Sequence, residues 1–302
     1  MTLDKKLASI LRTFEGRGMK VGLIGLGVMG WRIAANLAAD GLLTHVYNRT
    51  REKALEFSRK YGVEAAGSPA DLAARTDVIL TVLSDDDAVA QTVSSLLPAV
   101  AGKILVDMST ISPATSQQLA SKVADAGGIM FDAPIIGTSI AVEKRQIVVL
   151  VGGPRDKYDV VEGILRHTAS TVVYVGPNGY GLYAKLVNNL LLGAYVAALA
   201  EAFNFGLKAG LDPKFLVDLL TKYSSARSPT SELKAPKMAS GDYSVQFAMK
   251  HMRKDLELVQ QEARRLKAAV PLSAISLQLY RLAEAMGLSE QDFAAILELL
   301  RR

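Results

Sequence analysis

A glycine-rich turn near the start of the chain has the spacing of a dinucleotide phosphate site. The turn follows a short apolar run at residues 20–24 and reads G-x-G-x-x-G, with the residues Gly25, Leu26, Gly27, Val28, Met29 and Gly30. In this motif the first glycine permits a tight turn, the second lets the backbone approach a pyrophosphate, and the third lets helix and strand pack closely. Free N–H groups of the following helix would then face the phosphates. We therefore predict a cofactor-binding turn rather than a glycine-rich loop without a ligand.

The residues after the second predicted strand indicate which dinucleotide the turn accepts. A carboxylate about 20 residues beyond the glycines would accept a hydrogen bond from a ribose 2′-hydroxyl. The chain has Asn48, Arg49 and Thr50 at this place. Because no acid is present and a guanidinium can pair with a 2′-phosphate, the sequence favours NADP, with NAD as the other possibility. The alternative for Arg49 is a solvated turn residue.

Two more polar stretches follow apolar runs of strand length, where parallel sheets bind ligands. Leu83 and Ser84 come at the end of the run at residues 78–83, and Ser109 comes just after the run at residues 104–107. We predict that Leu83 and Ser84 contact the cofactor and that Ser109 lines the nicotinamide pocket. The three aspartates after Ser84 could form a metal site, but adjacent acids at a helix start more often cap the helix.

The elements that must position these residues follow a regular alternation. Apolar runs of strand length alternate with stretches of helical spacing such as residues 30–39, 50–61 and 113–126, which indicates a mostly parallel sheet covered on both faces. The predicted strands lie at residues 20–24, 44–47, 78–83, 104–107, 129–132, 147–151 and 172–175. The predicted fold is α/β, with a Rossmann-type doubly wound sheet.

Beyond residue 177 the strand pattern stops and an all-α C-terminal domain is predicted. Its helices are expected at residues 181–209, 213–223, 244–269, 271–287 and 290–300. Residues 1–18 have helical apolar spacing ended by glycines and form an N-terminal extension of unknown role. The predicted division is therefore an extension at 1–18, a dinucleotide-binding domain at 19–177, and an all-α domain for substrate binding and oligomerisation at 178–302.

Composition excludes several other classes of function. The chain has 302 residues, of which 50% are apolar, and it has no cysteine, so disulfides and thiolate chemistry are excluded. Its three histidines are far apart in sequence, and we predict no metal site. The net charge of +5 is spread along the chain, which suits small anions better than nucleic acid. With a charged start and no apolar run of about 20 residues, we expect a cytoplasmic protein without a membrane partner.

Several ordered motifs together resemble the β-hydroxyacid dehydrogenase family, which includes 3-hydroxyisobutyrate dehydrogenases, tartronate semialdehyde reductases and glyoxylate/succinic semialdehyde reductases. The resemblance covers about residues 19–290. The motifs are the turn at residues 25–30, Asp107-Met108-Ser109-Thr110, Asp132-Ala133-Pro134, Gly179-Tyr180-Gly181 with Lys185 and Asn188-Asn189, and Lys254-Asp255-Leu256. They are specific for the family but not for one substrate.

The resemblance implies that Lys185 is the catalytic residue, that Asn189 holds the substrate, and that Lys254 lies near the nicotinamide or the substrate. Positions i and i+4 share one helix face, so Lys185 and Asn189 would project together. A lysine that is partly desolvated in a cleft has a lowered pKa and can exchange a proton with a carbonyl or alcohol oxygen. The alternatives are a lysine whose ammonium extends to solvent near a helix start, and for Lys254 a solvated side chain.

The chain departs from the family where the substrate carboxylate is usually held. The family usually has Ser-Gly-Gly after the Asp-x-Pro motif, whereas this chain has Ile136, Gly137 and Thr138, and residues 143–146 replace a usual glycine-containing stretch. Because the isoleucine side chain forms no hydrogen bond, either Thr138 and Ser139 bind the anion or the substrate differs. We include Ile136, Gly137 and Thr138 with Ser109, Lys185 and Asn189 as predicted substrate-binding residues.

These observations predict an NADP-preferring oxidoreductase that interconverts a short β-hydroxyacid and its aldehyde or keto form, with Lys185 as general acid and base. The expected partners are a small carboxylate-bearing substrate and further copies of the chain, as a homodimer or homotetramer, because the resemblance implies that the long helix joins subunits. Ile136 before Gly137 is also similar to imine reductases, although these usually lack the lysine. A protein that binds NADP without turnover is the third hypothesis.

Overall fold

The computed structural model describes residues 18–301. The extension predicted at residues 1–18 lies outside the described residues except for Gly18. The chain divides into two compact units, Met1–Lys185 and Leu186–Arg302. The division falls within a 29-residue helix, Tyr180–Lys208, so one continuous helix carries both Lys185 and Asn189.

The first unit is built on a mixed sheet. Its strands are β1 (Val21–Ile24), β2 (Leu43–Tyr47), β3 (Glu64–Ala65), β4 (Val78–Thr81), β5 (Ile104–Asp107), β6 (Ile129–Asp132), β7 (Ile135–Ile136), β8 (Val148–Gly152) and β9 (Thr171–Gly176). The strand order is β3-β2-β1-β4-β5-β6-β8-β7, and β9 pairs with β8. All pairs from β3 through β6 are parallel, as is the β8–β9 pair. Strand β8 runs antiparallel to β6 and β7.

Helices cover both faces of this sheet. They are α1 (Val28–Ala39), α2 (Arg51–Tyr61), α3 (Pro69–Arg75), α4 (Asp86–Leu96), α5 (Pro113–Asp125), α6 (Ser139–Glu143) and α7 (Tyr158–Leu165). Neighbouring strand residues contribute to different apolar clusters, as Leu23 and Ile24 of β1 do. Because successive strand side chains point to opposite faces, two cores on one sheet require apolar residues at every position. This arrangement confirms the predicted doubly wound α/β fold.

The regular elements of the second unit, within residues 186–301, are helices joined by loops. After α8 (Tyr180–Lys208) come α9 (Pro213–Asp218), a π-helical turn Leu219–Tyr223, α10 (Pro229–Ser240), α11 (Met249–Leu266), α12 (Pro271–Ala285), a 3₁₀ turn Phe293–Ile296 and α13 (Leu297–Leu300). The helix predicted at 244–269 is therefore shorter than expected, and the last predicted helix is half 3₁₀. By length and composition α8 could also cross a membrane, a property it shares with core helices of soluble proteins.

A buried ion pair lies within this helical unit. Lys234 Nζ of α10 is 2.9 Å from both carboxylate oxygens of Asp292. The carboxylate also accepts backbone N–H bonds from Gln246, Phe247 and Ala294. Burial lowers the pKa of Lys234, and the Asp292 charge opposes this shift. Five donor contacts on one carboxylate thus connect α10, the segment before α11 and the last turns of the chain.

Asp292→Asn is expected to destabilise the protein strongly, because it leaves the Lys234 ammonium buried without its counter-charge. Breaking such a pair from one side typically costs about 3 kcal/mol or more. Denaturant unfolding should detect this loss. Glu290→Gln is the matched control, because Glu290 pairs with Lys250 at the surface, with 76% of the Glu290 side chain exposed. This variant should lose much less of the free energy of unfolding. Equal stabilities of the two variants would contradict this account.

Candidate active site

The predicted cofactor turn lies at the carboxyl end of β1, where the strand order reverses between β1 and β4. Two of its glycines are required by the protein's own packing. Gly25 has φ +102°, and a Cβ there would lie 2.3 Å from the carbonyl oxygen of Val82. A Cβ on Gly30 would lie 1.9 Å from the Gly25 carbonyl oxygen. These two positions therefore shape the turn and the approach of α1 to the sheet.

Gly27 differs from its two neighbours because protein packing gives no reason for a glycine. A Cβ at Gly27 would have no atom of the described chain within 4 Å. Gly27 is also the N-cap of α1, and no side chain caps this helix. By contrast, side chains cap α3, α4, α5 and α6. Open space beside uncapped N–H groups fits the pyrophosphate of a dinucleotide, as the motif predicts.

Asn48 and Arg49 lie beside this turn, at the end of β2. Asn48 Oδ1 accepts a 2.9 Å hydrogen bond from the N–H of Leu26, and its Nδ2 donates to the carbonyl of Thr50. Asn48 therefore holds the glycine turn against β2. Arg49 is exposed, and within residues 18–301 its side chain has no hydrogen-bond or ion-pair partner. Its guanidinium is therefore available to a ligand.

A buried carboxylate organises the ends of β4 and β5. Asp107 Oδ1 accepts hydrogen bonds from Thr81 Oγ1 at 2.7 Å and from Ser109 Oγ at 2.6 Å. Ser109 Oγ in turn accepts the N–H of Leu83 at 2.9 Å. Burial raises the pKa of Asp107, and these hydrogen bonds oppose the shift. Leu83 and Ser109 are thus brought together, and the Ser109 hydroxyl positions the loop rather than pointing freely to solvent.

The acids after Ser84 have structural roles. Ser84 Oγ donates to Asp85 Oδ2 at 2.6 Å, and Asp85 Oδ1 accepts the N–H of Ala88, which caps α4. Asp86 accepts the N–H of Ser112, the residue that caps α5. The predicted capping role is therefore confirmed for Asp85, whereas Asp86 holds the backbone at the start of α5.

The segment in which the chain departs from the family it resembles begins at β7. Ile136 pairs with Val148 in the sheet, and Gly137 has φ +145°. Thr138 caps α6, because its Oγ1 accepts the N–H of Ala141 at 3.3 Å. The hydroxyl of Thr138 keeps its own hydrogen as a donor for an anion. Ile136 contributes only apolar surface.

Helix α6 is bound by polar contacts to one face of α1, the helix that follows the glycine turn. Arg32 pairs with Glu143 at 2.6 Å, and Asn36 Nδ2 donates to the carbonyl of Val142 at 2.8 Å. Arg145 binds both carboxylate oxygens of Asp40, which lowers the pKa of Asp40. Arg145 has φ +56°, a conformation that glycine adopts more easily. The residues that replace the family's glycine-containing stretch thus form a polar bridge to α1.

Helix α8 begins on another buried carboxylate, at the end of β6. Asp132 Oδ1 accepts the N–H of Gly179 at 2.6 Å, and Oδ2 accepts the N–H of Leu182 at 3.0 Å. Burial raises the pKa of Asp132 to about 6, and the two backbone hydrogen bonds oppose this rise. Lys185 follows on the next turn and is itself buried, with 7% exposed. Sequence reasoning placed Asp132 in a motif but assigned it no role.

In the second unit, Asn189 and Lys254 both contact the carboxylate of Asp255. Asn189 Nδ2 donates to Asp255 Oδ2 at 2.5 Å, and its Oδ1 accepts a bond from Asn188 at 2.8 Å. Lys254 Nζ is 3.4 Å from the other oxygen of Asp255. Asp255 is 2% exposed. The link between Asn189 and Lys254 was missed, since sequence spacing does not show which helices pack together.

Family models match almost the whole described chain. Residues 20–176 match the NAD-binding domain of 6-phosphogluconate dehydrogenase. Residues 179–300 match a domain described as the NAD-binding domain of NADP-dependent 3-hydroxyisobutyrate dehydrogenase. The two matches meet within the stretch that links β9 to α8.

Curated relatives align over nearly their full length. Mitochondrial 3-hydroxyisobutyrate dehydrogenase of Mus musculus is 34% identical, over 98% of this chain and 91% of its own. Glyoxylate/succinic semialdehyde reductase 2 of Arabidopsis thaliana is 30% identical, over 94% and 80% of the two chains. L-threonate dehydrogenase of Cupriavidus necator is 32% identical, over 92% and 95%.

A solved structure agrees with these sequence matches. The 3-hydroxyisobutyrate dehydrogenase of Mycobacterium tuberculosis, solved with L-serine, superposes with a TM-score of 0.87 at 25% identity, over 94% of this chain and 99% of that one. A reductive aminase of Aspergillus terreus, at 22% identity and a TM-score of 0.61, shares the fold. Taken with the glycine turn and the motifs around Lys185, these matches show that the chain belongs to the β-hydroxyacid dehydrogenase family and is an NAD(P)-dependent oxidoreductase.

Proposed function

We propose that this enzyme prefers NADP and interconverts a short β-hydroxyacid and its aldehyde or keto form. The observation that carries the proposal is the buried Lys185, held near the start of a helix that is anchored on β6. The named relatives act on hydroxyacids or semialdehydes, substrates that combine a carboxylate with a hydroxyl or carbonyl group. The net charge of +5 favours such anions.

The cofactor, when bound, supplies or accepts a hydride at the substrate carbon. The backbone N–H groups of residues 27–30 hold its pyrophosphate, and Arg49 pairs with a 2′-phosphate. Leu83 and Ser84 line the cofactor site beside these groups, and Ser109 lies where cofactor and substrate meet. The packing around Gly27 fits this role, because a side chain there would fill the space beside the uncapped helix N-terminus.

Lys185 moves the proton. In the reductive direction its ammonium donates a proton to the carbonyl oxygen, and in the oxidative direction its amine removes a proton from the alcohol. Asn189 uses one N–H on Asp255 and retains a second for the substrate hydroxyl. The Thr138 hydroxyl is a donor for the substrate carboxylate, and the neighbouring Ile136 and Gly137 add no charged group. Lys254 is a cationic group for the substrate or the nicotinamide.

Lys185→Ala should lower kcat by about 10²- to 10⁴-fold, because it removes the proton donor while leaving the cofactor turn unchanged. The assay follows NADPH oxidation with a panel of short semialdehydes, and NADPH binding is measured by its fluorescence. Lys208→Ala is the matched control at the exposed far end of the same helix. Turnover of Lys185→Ala close to that of the parent enzyme would remove the lysine from its proposed role.

An imine reductase is the second candidate, because Ile136 stands at the family's usual serine position, directly before the retained Gly137, as in imine reductases. Lys185 argues for carbonyl substrates, since imine reductases usually lack this lysine. The same NADPH assay with cyclic imines beside semialdehydes separates the two. Higher kcat/KM for semialdehydes supports the proposal, and faster imine turnover favours the second candidate. Tight NADPH binding without turnover on either panel would indicate a non-catalytic protein.

Arg49→Gln should raise KM for NADPH by about 10- to 100-fold, the expected cost of one charge-assisted phosphate contact. KM for NADH should change little, since NADH has no 2′-phosphate. Arg59→Gln is the matched control, because Arg59 is an exposed arginine in the last turn of α2, the helix that follows Arg49. Equal changes in KM for both cofactors would contradict the proposed contact.

We also propose that the enzyme is a homo-oligomer that joins through α8. Apolar side chains on this helix are unusually exposed, with Val187 at 70%, Leu191 at 68% and Phe205 at 78%. Their spacing of four and fourteen residues places them along one face of the helix. We infer that a second copy of the chain covers this face, because removing an apolar stripe of this length from water is favourable.

Leu191→Asp should shift the protein toward monomers, because it places a charge in the centre of the proposed interface. Size-exclusion chromatography with light scattering measures the mass of the particle. Leu55→Asp is the control on α2, where Leu55 is also exposed, at 41%. A monomeric parent protein, or an unchanged oligomer after Leu191→Asp, would overturn the proposal.

A further inference from the structure

We propose that Asp132 is a positioning residue for the reaction, whose carboxylate fixes the first turn of α8 and thereby the place of Lys185. The inference rests on the proposed function, since it acts through the proton transfer assigned to Lys185. Asp132 itself is fully buried and acts through the helix.

The contacts of Asp132 use both of its carboxylate oxygens on the start of one helix. The N–H of Gly179 lies just before α8, and the N–H of Leu182 lies in its first turn. These are groups that a helix leaves without backbone partners, and a carboxylate at this end also meets the positive end of the helix dipole. Lys185 follows Leu182 by three residues, which is about 4.5 Å along the helix axis. A shift of the first turn therefore moves Lys185 directly.

The surroundings of the carboxylate leave it no freedom to move. A Cβ on Gly152 would lie 2.7 Å from both oxygens of Asp132, and a Cβ on Gly181 would lie 2.8 Å from one of them. The same Cβ on Gly181 would lie only 2.4 Å from the carbonyl oxygen of Leu150. Backbone from β8 and from α8 thus closes tightly around Asp132. Both glycines are explained by this packing, and a longer glutamate would not fit in place of Asp132.

Two hydrogen bonds of Asn178 also hold the segment that precedes α8. Asn178 Nδ2 donates to the carbonyl of Met130 at 2.7 Å, and the carbonyl of Asn178 accepts a bond from Gln117 at 3.0 Å. The segment before α8 is therefore tied to β6 and to α5. The bond from the N–H of Leu182 to Asp132, by contrast, reaches into the first turn of α8.

The charge on Asp132 costs stability at neutral pH. Asp107 lies beside it in register on β5 and is also buried. The folded-state pKa of Asp132 is about 6, above its ordinary value of 3.8, so the folded protein gains stability relative to the unfolded chain as pH falls through this window. A neutral asparagine would avoid this cost but would leave one of the two N–H groups without its acceptor.

The test is a double-mutant cycle between Asp132→Asn and Lys185→Ala. Asparagine keeps the shape but accepts only one of the two N–H bonds. We expect Asp132→Asn to keep its Tm within a few degrees and its Kd for NADPH, while kcat falls about 10- to 100-fold with a much smaller change in KM for the semialdehyde. The double variant should be no slower than Lys185→Ala alone, because both changes act on one proton transfer.

Ser68→Ala is the control for the loss of a helix cap. Ser68 caps α3 by accepting the N–H of Asp71, and α3 carries no residue assigned to the site. This variant should lower Tm by a few degrees and leave kcat unchanged. If Asp132→Asn does not fold, Asp132→Ser, which keeps an acceptor without the charge, enters the same cycle.

Each outcome of the cycle decides the proposal. Parent-like kcat in Asp132→Asn, or losses that multiply in the double variant, overturns the positioning role while the proposed function stands. Parent-like kcat in Lys185→Ala overturns the proposed function, and with it a role that acts through Lys185. If Asp132→Asn lowers kcat but the double variant is no slower than Lys185→Ala alone, the result supports both the positioning role and the proposed function.

Discussion

The carboxylate of Asp132 joins the sheet of the first unit to the helix that carries the proposed proton donor. Its two bonds to the N–H groups of Gly179 and Leu182 set where α8 begins. The glycines at positions 152 and 181 allow the backbone to close around it. A long apolar helix has no internal signal for its exact start, and a buried acid supplies one.

Asp107 has a related role one strand away. It holds Ser109 and, through Ser109, the loop at Leu83, while Asn48 holds the glycine turn at Leu26. The loops at the carboxyl edge of the sheet are thus fixed by polar side chains within the protein. Arg49 and Gly27 have no comparable protein contact among residues 18–301. The residues that shape the site and those available to a ligand are therefore different, although they stand side by side in sequence.

Much of the fold could be predicted because buried parallel strands leave a continuous apolar pattern. The strands Ile104–Asp107 and Ile129–Asp132 have the predicted limits. The two-residue strands β3 and β7 are too short for any periodicity, and α10 was not predicted because Pro236 lies inside it. At the site, motifs predicted which residues matter, but not that Asp132 and Asp255 connect distant segments. Such contacts depend on packing between elements, which a single sequence does not record.

In the proposed reaction, Lys185 exchanges a proton with a hydroxyacid bound beside NADP. A crystal structure of the enzyme with NADP and a short β-hydroxyacid tests it most directly. The account predicts Lys185 Nζ within about 3.2 Å of the substrate hydroxyl oxygen, the distance that proton transfer needs. A bound hydroxyacid whose hydroxyl lies beyond hydrogen-bond reach of Lys185, next to a different proton donor, would contradict it.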